Sequence, residues 1–274
     1  MKKVIVLMMS TFLLMGCKKV EKPDGEVNTS ADFSLAGSEF VRMSEAVLRS
    51  YLVTPLVLRN ATVTCDSLTR LTGDTLPSSV RSYSRLAAAS PCAINDMAAR
   101  TGTLKIVQLG RINTPGNKMV IKLKDYVKVL GAKTFTFSCD SLLISDIRQV
   151  NNKWVYQLNV LNGKVREGEA LWSLVLTATV TVQEGEVGLL LTGYGTSRDG
   201  KKYKCAQDAD PVFKAFDCEH FTFGKVAITP EGATPRFIDF GMGGCDFEAD
   251  VYFLDIQSTK EQIQEANRMR IELK

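Results

Sequence analysis

The chain lacks several features that point to a particular chemistry. It has 1 histidine, no C-x-x-C pair and no HExxH motif, so histidine-rich metal sites and the common zinc sites are excluded. Its 34 basic and 30 acidic residues give a net charge of +4, too small to attract nucleic acid, and we predict no nucleic-acid partner. An apolar content of 45% is typical of a folded globular chain and excludes intrinsic disorder.

The first 16 residues have the features of an export signal. Lys2 and Lys3 form a basic start, and Val4 to Leu14 is an apolar stretch broken only by Ser10 and Thr11. This stretch is too short for a bilayer of about 30 Å, which needs roughly 20 apolar residues. No later run reaches 18 apolar residues, so we predict no membrane-spanning segment.

The segment Leu14-Met15-Gly16-Cys17 resembles the lipobox of bacterial lipoproteins. The resemblance implies cleavage before Cys17, a diacylglycerol on its sulfur and an acyl chain on its amino group. Two or three chains anchor a protein stably, because each buried methylene contributes about 0.8 kcal/mol. Lys18 stands where an enteric inner-membrane retention signal has aspartate, which favours the outer membrane. Whether the protein lies on the periplasmic or the surface face of that membrane stays open. The alternative is an ordinary cleaved signal followed by an incidental cysteine.

The segment after Cys17 is polar and has no sustained periodicity as far as about Gly37. Such a composition is typical of a flexible tether, and about 20 such residues span about 25 Å. We therefore divide the chain into a lipoprotein signal peptide (1–16), a lipidated flexible tether (17–37) and a single β-rich domain (38–274).

Six cysteines follow Cys17, and an even number in an exported chain predicts three disulfides among 15 connectivities. They are Cys65, Cys92, Cys139, Cys205, Cys218 and Cys245. Cys65 to Cys92 and Cys218 to Cys245 both span 27 positions, which suggests a weak internal repeat with each segment closed by its own bridge. Cys139 would then pair with Cys205. Coincidence of the two spacings is the alternative.

Alternation with a period of two dominates the middle of the chain and predicts an antiparallel all-β domain. The segments MVIKLKDYVKV and LWSLVLTATVTVQ are the clearest half-buried strands. Turn signals separate the strands at Thr114-Pro115-Gly116-Asn117, Asn162-Gly163, Asp199-Gly200 and Pro230-Glu231-Gly232. Many short strands at hairpin spacing favour either a curled meander or a sandwich.

Short helices are predicted only at the two ends of the domain. Ser38 is a candidate N-cap for a helix that carries Phe40, Val47 and Leu48 on one face. Near the C-terminus, Ser258 and Glu261 have capping-box spacing. The apolar stripe behind this box consists of Ile263, Ala266, Met269 and Leu273.

One strand face has the composition of a binding surface. In the segment MVIKLKDYVKV the alternation predicts that Lys122, Lys124, Tyr126 and Lys128 project together. Three ammonium groups and an aromatic ring could meet an anionic glycan or a lipid surface. The alternative is a charged face that keeps the sheet soluble.

Catalytic and metal-binding residues are not predicted. His220 is flanked by Cys218, which cannot be a nucleophile if it is oxidised, so we expect this histidine at the surface or at a strand edge. Asp246, Glu248 and Asp250 share one predicted strand face, either as a calcium or glycosidase cluster or as a solvated face. Asp208 and Asp210 could ligate Ca²⁺, but the EF-hand pattern is missing.

Strand-like sequence also follows the glycines at 241, 243 and 244, where a phosphate-binding loop would need a helix. We interpret these glycines as a bulge or turn. No cofactor is expected.

The chain resembles a group of uncharacterised Bacteroidota cell-envelope lipoproteins that carry a TGxGTxRxGxxY hairpin followed by a C…IDFGxGxCD unit. The matching residues are Thr192, Gly193, Gly195, Thr196, Arg198, Gly200 and Tyr203, then Ile238, Asp239, Phe240, Gly241, Gly243, Cys245 and Asp246. The resemblance spans about residues 60 to 255 and implies an architecture and a location, without a catalytic residue or a ligand. It also implies O-glycosylation at Ser67, Thr75 and Ser141.

We therefore expect a non-enzymatic cell-envelope lipoprotein that acts as a surface adhesion, glycan-interacting or structural module. Its expected partners are the membrane, through the lipid, and a glycan or an envelope protein. Two alternatives stay open: a carbohydrate-active enzyme that uses two carboxylates, and an accessory subunit of an outer-membrane complex. Two acids converging in a cleft would favour the first, and a large exposed apolar patch the second.

Overall fold

The computed structural model describes residues 26–51, 68–72, 80–85, 97–110, 112–208, 210–254 and 268–273. Within these ranges lie one helix, α1 (Asn28–Tyr51), and fifteen strands. The strands are β1 (Leu68–Thr72), β2 (Val80–Arg85), β3 (Ala99–Leu109), β4 (Lys118–Leu130), β5 (Lys133–Ser138), β6 (Ser141–Val150), β7 (Lys153–Glu167), β8 (Ala170–Gln183), β9 (Glu186–Thr196), β10 (Lys202–Gln207), β11 (Val212–Ala215), β12 (Phe223–Pro230), β13 (Arg236–Met242), β14 (Glu248–Phe253) and β15 (Arg268–Glu272).

All fifteen strands belong to one antiparallel sheet, which confirms the all-β prediction. The main path runs β1-β2-β3-β4-β5-β7-β8-β9-β10-β12-β13-β14-β15, with β6 paired to β4 and β7, and β11 paired to β9 and β12. Most neighbours in space are neighbours in sequence, as expected for strands joined by tight turns. Of the two predicted architectures, the single curled meander is therefore present, and the sandwich of two sheets is not.

Helix α1 lies inside the curl of the sheet. A helix of 24 residues is about 36 Å long, and its apolar and polar side chains are buried alike. Phe33, Phe40, Ser34 and Glu39 all have 0% exposure. The helix contacts strands that are far apart in the sheet, including β6, β8 and β12. It therefore forms the centre of the core, around which the sheet bends.

The predicted tether is wrong for residues 28–37, because the helix begins at Asn28 and not at Ser38. Glu26 accepts hydrogen bonds from the Thr29 backbone N–H at 2.9 Å and from its hydroxyl at 3.1 Å, which caps the first turn. Ser38 lies within the helix, where its hydroxyl donates to the Ser34 carbonyl at 2.7 Å. The polar residues of this segment belong to a buried helix. A buried polar helix and a flexible linker can have the same composition, so composition alone does not tell them apart. Cys17 lies outside the described residues.

The predicted C-terminal helix is wrong for its last part. Residues 268–272 form strand β15, which pairs with β14, and Met269 is 40% exposed. Arg268 and Arg270 form ion pairs with Asp250 across the two strands, at 2.5 and 3.4 Å. Such cross-strand pairs favour the extended conformation here. Ser258, Glu261, Ile263 and Ala266 lie outside the described residues.

The alternation predicted for LWSLVLTATVTVQ is confirmed in β8, where Trp172, Leu174 and Leu176 are buried and point toward the helix. The predicted turn at Asn162-Gly163 is wrong, because both residues lie inside β7. There the pairing with β8 shifts between Val160 and Gly163, which is a β-bulge. A Cβ on Gly163 would lie 2.8 Å from the ring of Phe40, so this glycine makes room for the helix.

Candidate functional site

The predicted binding face of four residues is divided between the two sides of β4. Lys122 and Lys124 are exposed on the outer side, whereas Tyr126 and Lys128 are only 4% and 1% exposed. The pairing of β3 with β4 shifts between Thr101 and Thr103, and Asp125 adopts a φ of 53°. This β-bulge adds one residue to β4 and reverses the alternation after it. The prediction of one shared face is therefore wrong.

Tyr126 and Lys128, which point inward, belong to a buried charge cluster. Glu39 of the helix accepts from the Arg100 Nε at 2.7 Å and from the Tyr126 hydroxyl at 2.6 Å. The Lys128 Nζ lies 3.4 Å from Glu39 and 2.6 Å from Glu219. All four charged side chains are at most 1% exposed. Tyr126 and Lys128 are therefore used to hold the helix and do not face a ligand.

Two further ion pairs tie the helix to the sheet. Asp32, near the start of the helix, lies 2.6 Å from Arg198 in the turn between β9 and β10. Glu45, near its end, lies 3.6 Å from Lys214 of β11. Carboxylates near the start, in the middle and near the end of the helix thus meet cations of the sheet or of its turns. Arg198 is the arginine of the TGxGTxRxGxxY pattern, and in this structure it anchors the helix through Asp32.

An open groove of about 920 Å³ crosses the outer face of the sheet, on the side away from the helix. Its floor consists of residues from β8, β9, β10 and β12. The lining also includes Leu161 and Asn162 of the β7 bulge, and Pro230 and Glu231, where β12 ends. Tyr194 lies in the floor with 58% of its side chain exposed. A groove of this volume fits a small ligand of a few rings.

Strand pairing arranges the floor in two rows that run across the strands. The first row consists of Val175, Tyr194, Lys204 and Thr229, each opposite the next on the neighbouring strand. The second row lies two residues further along each strand and consists of Ser173, Thr196 and Lys202. Glu231 lies beside this row, because its backbone N–H donates to the Lys202 carbonyl at 2.7 Å. One aromatic ring is thus surrounded by hydroxyl, ammonium, amide and carboxylate groups.

Two glycines of the TGYGT segment shape this floor. Cβ atoms on Gly193 and Gly195 would clash with the carbonyl oxygens of Val175 and Ser173, and that on Gly195 would also lie 2.7 Å from the Tyr203 hydroxyl. Neighbouring strands and the buried Tyr203 therefore approach this part of β9 closely from the inner side. Tyr194 stands between two residues without side chains. Sequence reasoning assigned the glycines to a family motif and missed the exposed tyrosine between them.

The acidic residues predicted on β14 do not form a catalytic pair in a cleft. Glu248 lies 2.9 Å from Arg270, and Asp250 lies 2.5 Å from Arg268, so both carboxylates are neutralised by β15. This is the solvated strand face that was the alternative to a calcium or glycosidase site. Asp208 is half-buried and donates its backbone N–H to the Lys225 carbonyl, while Asp210 is exposed.

His220 is buried, so the expectation of a surface or edge histidine is wrong. It is 2% exposed, its ring packs 5.1 Å from that of Phe247, and its Nε2 contacts the Asp246 carbonyl. Burial lowers the pKa of this imidazole, and the contact with the carbonyl and the charge of Glu219 oppose that effect only in part. The sulfurs of Cys218 and Cys245 lie within 4.8 Å of its ligand atoms. Both sulfurs are held in a disulfide and have no thiolate to offer a metal.

The disulfide between Cys218 and Cys245 confirms one predicted bridge. The predicted bridge between Cys139 and Cys205 is wrong, because both are free thiols. Cys139 follows β5 and Cys205 lies on β10, with β7, β8 and β9 between these strands, which is too far for a disulfide. Burial raises the pKa of each thiol to about 12, so both are poor nucleophiles. Cys65 and Cys92 lie outside the described residues.

The glycines of this segment form a bulge followed by a bend, as predicted. Gly241 lies within β13, where the pairing with β12 shifts, and Gly243 follows the strand. Their φ angles are positive, at 86° and 98°, and strand β14 comes next in place of a helix. Gly243 donates its backbone N–H to the Thr222 carbonyl at 2.9 Å. These backbone amides therefore do not form the helix-based cradle that a phosphate group requires.

Helix α1 has the length of a bilayer-crossing helix but not its apolar composition, so no helix in the described part of the chain could cross a membrane. Comparisons with models of protein families, with curated proteins and with solved structures gave no match for this chain. The resemblance to envelope lipoproteins therefore stays a prediction from sequence motifs. The functional argument depends on the geometry of the groove.

Proposed function

We propose that this protein is a non-enzymatic cell-envelope lipoprotein that binds a saccharide in the outer groove. The observation that carries the proposal is Tyr194, an aromatic ring with 58% exposure in the floor of a groove of about 920 Å³. A flat exposed ring offers an apolar surface to the C–H face of a sugar, and the surrounding polar groups can bond to its hydroxyls.

The described residues that line the groove do not include the acid pair that hydrolysis of a glycosidic bond needs. Among the described residues that line it, Glu231 is the one carboxylate. Retaining and inverting glycosidases both use two carboxyl groups, separated by about 5 to 9.5 Å. The carboxylates of β14 lie outside the groove and are paired with arginines. These observations support binding without catalysis.

The location in the proposal depends on the leader and on Cys17. A lipid on that cysteine would tether the sheet near the outer membrane and leave the groove in solvent. Intact-mass spectrometry of protein purified from the cell envelope tests this part. We expect a chain that begins at Cys17 with the added mass of a diacylglycerol and an acyl group. A chain that begins at Met1, or an unmodified Cys17, would contradict it.

Replacing Tyr194 by alanine is expected to weaken saccharide binding by about tenfold, which corresponds to about 1.4 kcal/mol, because the stacking surface is lost. Tyr194→Phe keeps the ring and should retain most of the affinity. Binding is measured by isothermal titration calorimetry of the mature lipidated protein in detergent, against neutral and acidic oligosaccharides.

The matched control for this experiment is Leu190→Ala. Leu190 lies on the same strand and the same outer side, is 47% exposed and does not line the groove. Its replacement should leave the affinity unchanged. Binding by Tyr194→Ala as tight as that of the wild type, or no binding of any saccharide by the wild type, would refute the proposed function.

A further inference from the structure

The groove carries two lysines that project side by side. Lys202 and Lys204 are two residues apart on β10, so they point to the same side of the sheet with Cα atoms about 7 Å apart. Lys204 lies directly opposite Tyr194, and Lys202 lies opposite Thr196. Both side chains are exposed in the groove. Two lysine side chains therefore project from the groove floor beside the aromatic ring.

Some cations of the outer face are paired with carboxylates. Lys225 lies 3.2 Å from Asp239, and Arg270 lies 2.9 Å from Glu248. No ion pair to Lys202 or Lys204 occurs among the described residues. Glu231 is at the rim of the groove, where its backbone is bonded to Lys202. Two cations against one carboxylate give the groove a positive excess, available to an anionic ligand.

We propose that the groove selects a saccharide unit that carries a carboxylate or sulfate group. The sugar ring lies on Tyr194, and its anionic group is held between the ammonium groups of Lys202 and Lys204. This inference rests on the proposed saccharide-binding function and adds the chemical class of the ligand. Hydrogen bonds between ionised partners are stronger than neutral ones, so the two lysines set the selectivity and the tyrosine sets the basal affinity.

The test uses matched pairs of oligosaccharides that differ only in charge. One pair is trigalacturonate and its methyl ester, and the other is N-acetyllactosamine with and without a 6-sulfate. Calorimetry of the mature lipidated protein should show about tenfold tighter binding of at least one charged member than of its neutral partner. Equal affinity within both pairs would overturn the selectivity and leave the saccharide site standing. Failure of all four to bind would refute the saccharide site itself.

The double variant Lys202→Gln/Lys204→Gln assigns the effect to these residues. We expect it to bind the charged and neutral members equally, with the neutral affinity unchanged. The control is Lys122→Gln/Lys124→Gln, which removes the same charge from an equally spaced exposed pair on β4. The control should keep the discrimination of the wild type. Equal loss in both variants would show a general charge effect and would overturn the inference.

Vesicles that contain phosphatidylglycerol distinguish a sugar anion from a lipid headgroup. We expect the wild type to discriminate between charged and neutral saccharides. Vesicle binding should be the same for the wild type and for Lys202→Gln/Lys204→Gln. Groove-dependent binding to the vesicles, with no difference within the saccharide pairs, would assign the site to a membrane surface and overturn the inference.

Discussion

Replacing Glu39 by alanine is expected to lower the free energy of unfolding by about 3 to 5 kcal/mol, since removal of one partner leaves buried charges uncompensated. Arg100 and Lys128 both contact this carboxylate and are each 1% exposed. The Tyr126 hydroxyl would also lose its acceptor. Equilibrium urea unfolding followed by far-UV circular dichroism measures the change.

Glu169→Ala is the control for this prediction, because Glu169 is exposed in the turn between β7 and β8. A surface acid of this kind should change the free energy of unfolding by at most about 0.5 kcal/mol. A loss at Glu39 no larger than the loss at Glu169 would show that the buried cluster does not hold the helix in the sheet.

The same cluster predicts a dependence of stability on pH. Burial on its own raises the pKa of Glu39, but the charges of Arg100, Lys128 and Arg42 outweigh it and hold the pKa well below its usual range. An acid with a lowered folded-state pKa stabilises the protein above the pKa of the unfolded chain. This contribution is lost as the pH falls toward the folded-state pKa. Glu39→Gln should therefore flatten the stability profile below about pH 4.5.

Removing the disulfide is the change with the second largest expected effect. Cys218 and Cys245 are 27 residues apart, and the loop-closure entropy of such a span corresponds to about 3.5 kcal/mol. We expect Cys218→Ser/Cys245→Ser to lower the free energy of unfolding by about this amount. The bridge also joins the buried segment around Glu219 and His220 to the start of β14, so local order there should fall.

Cys139→Ser provides the comparison, since Cys139 is a half-buried free thiol. Its effect should stay within about 1 kcal/mol. Urea unfolding of the three proteins under non-reducing conditions measures both changes. Equal stability of the double variant and the wild type would contradict this prediction, because it would show that the bridge does not reduce the conformational entropy of the unfolded chain.

The sequence predicted well where a local rule decides the structure. In β8 the alternation of Trp172, Leu174 and Leu176 with polar residues follows directly from the pleat, and the structure confirms it. The bridge between Cys218 and Cys245 was predicted from a spacing of 27 positions that also separates Cys65 from Cys92. Both predictions use spacing in the sequence and need no knowledge of which distant residues are in contact.

The errors have a common cause in contacts between distant segments. The bulge at Asp125 places Lys128 inside, where Glu39 and Glu219 compensate its charge. The polar start of helix α1 is buried because the sheet supplies cations such as Arg198. A lysine at an inward position or a serine-rich helix has no local signature of burial. Such residues are identified only when their partners, many residues away, are known.

The groove was missed for a related reason. Alternation alone places Lys202 and Lys204 on one side of a strand, but Tyr194 joins them only through the pairing of β9 with β10. The glycines on either side of Tyr194 were assigned to a motif. Their steric role depends on the close approach of Ser173 and Tyr203, which are remote in sequence.

Chemical-shift mapping of a bound saccharide tests the central claim most directly. The isotope-labelled mature protein is titrated with trigalacturonate while amide shifts are recorded. The account predicts that the largest shifts fall in 173–175, 194–196, 202–204 and 229–231, which line the groove in adjacent strands. Shifts concentrated around Lys122 and Lys124, around the acids of β14, or at no defined surface would contradict it.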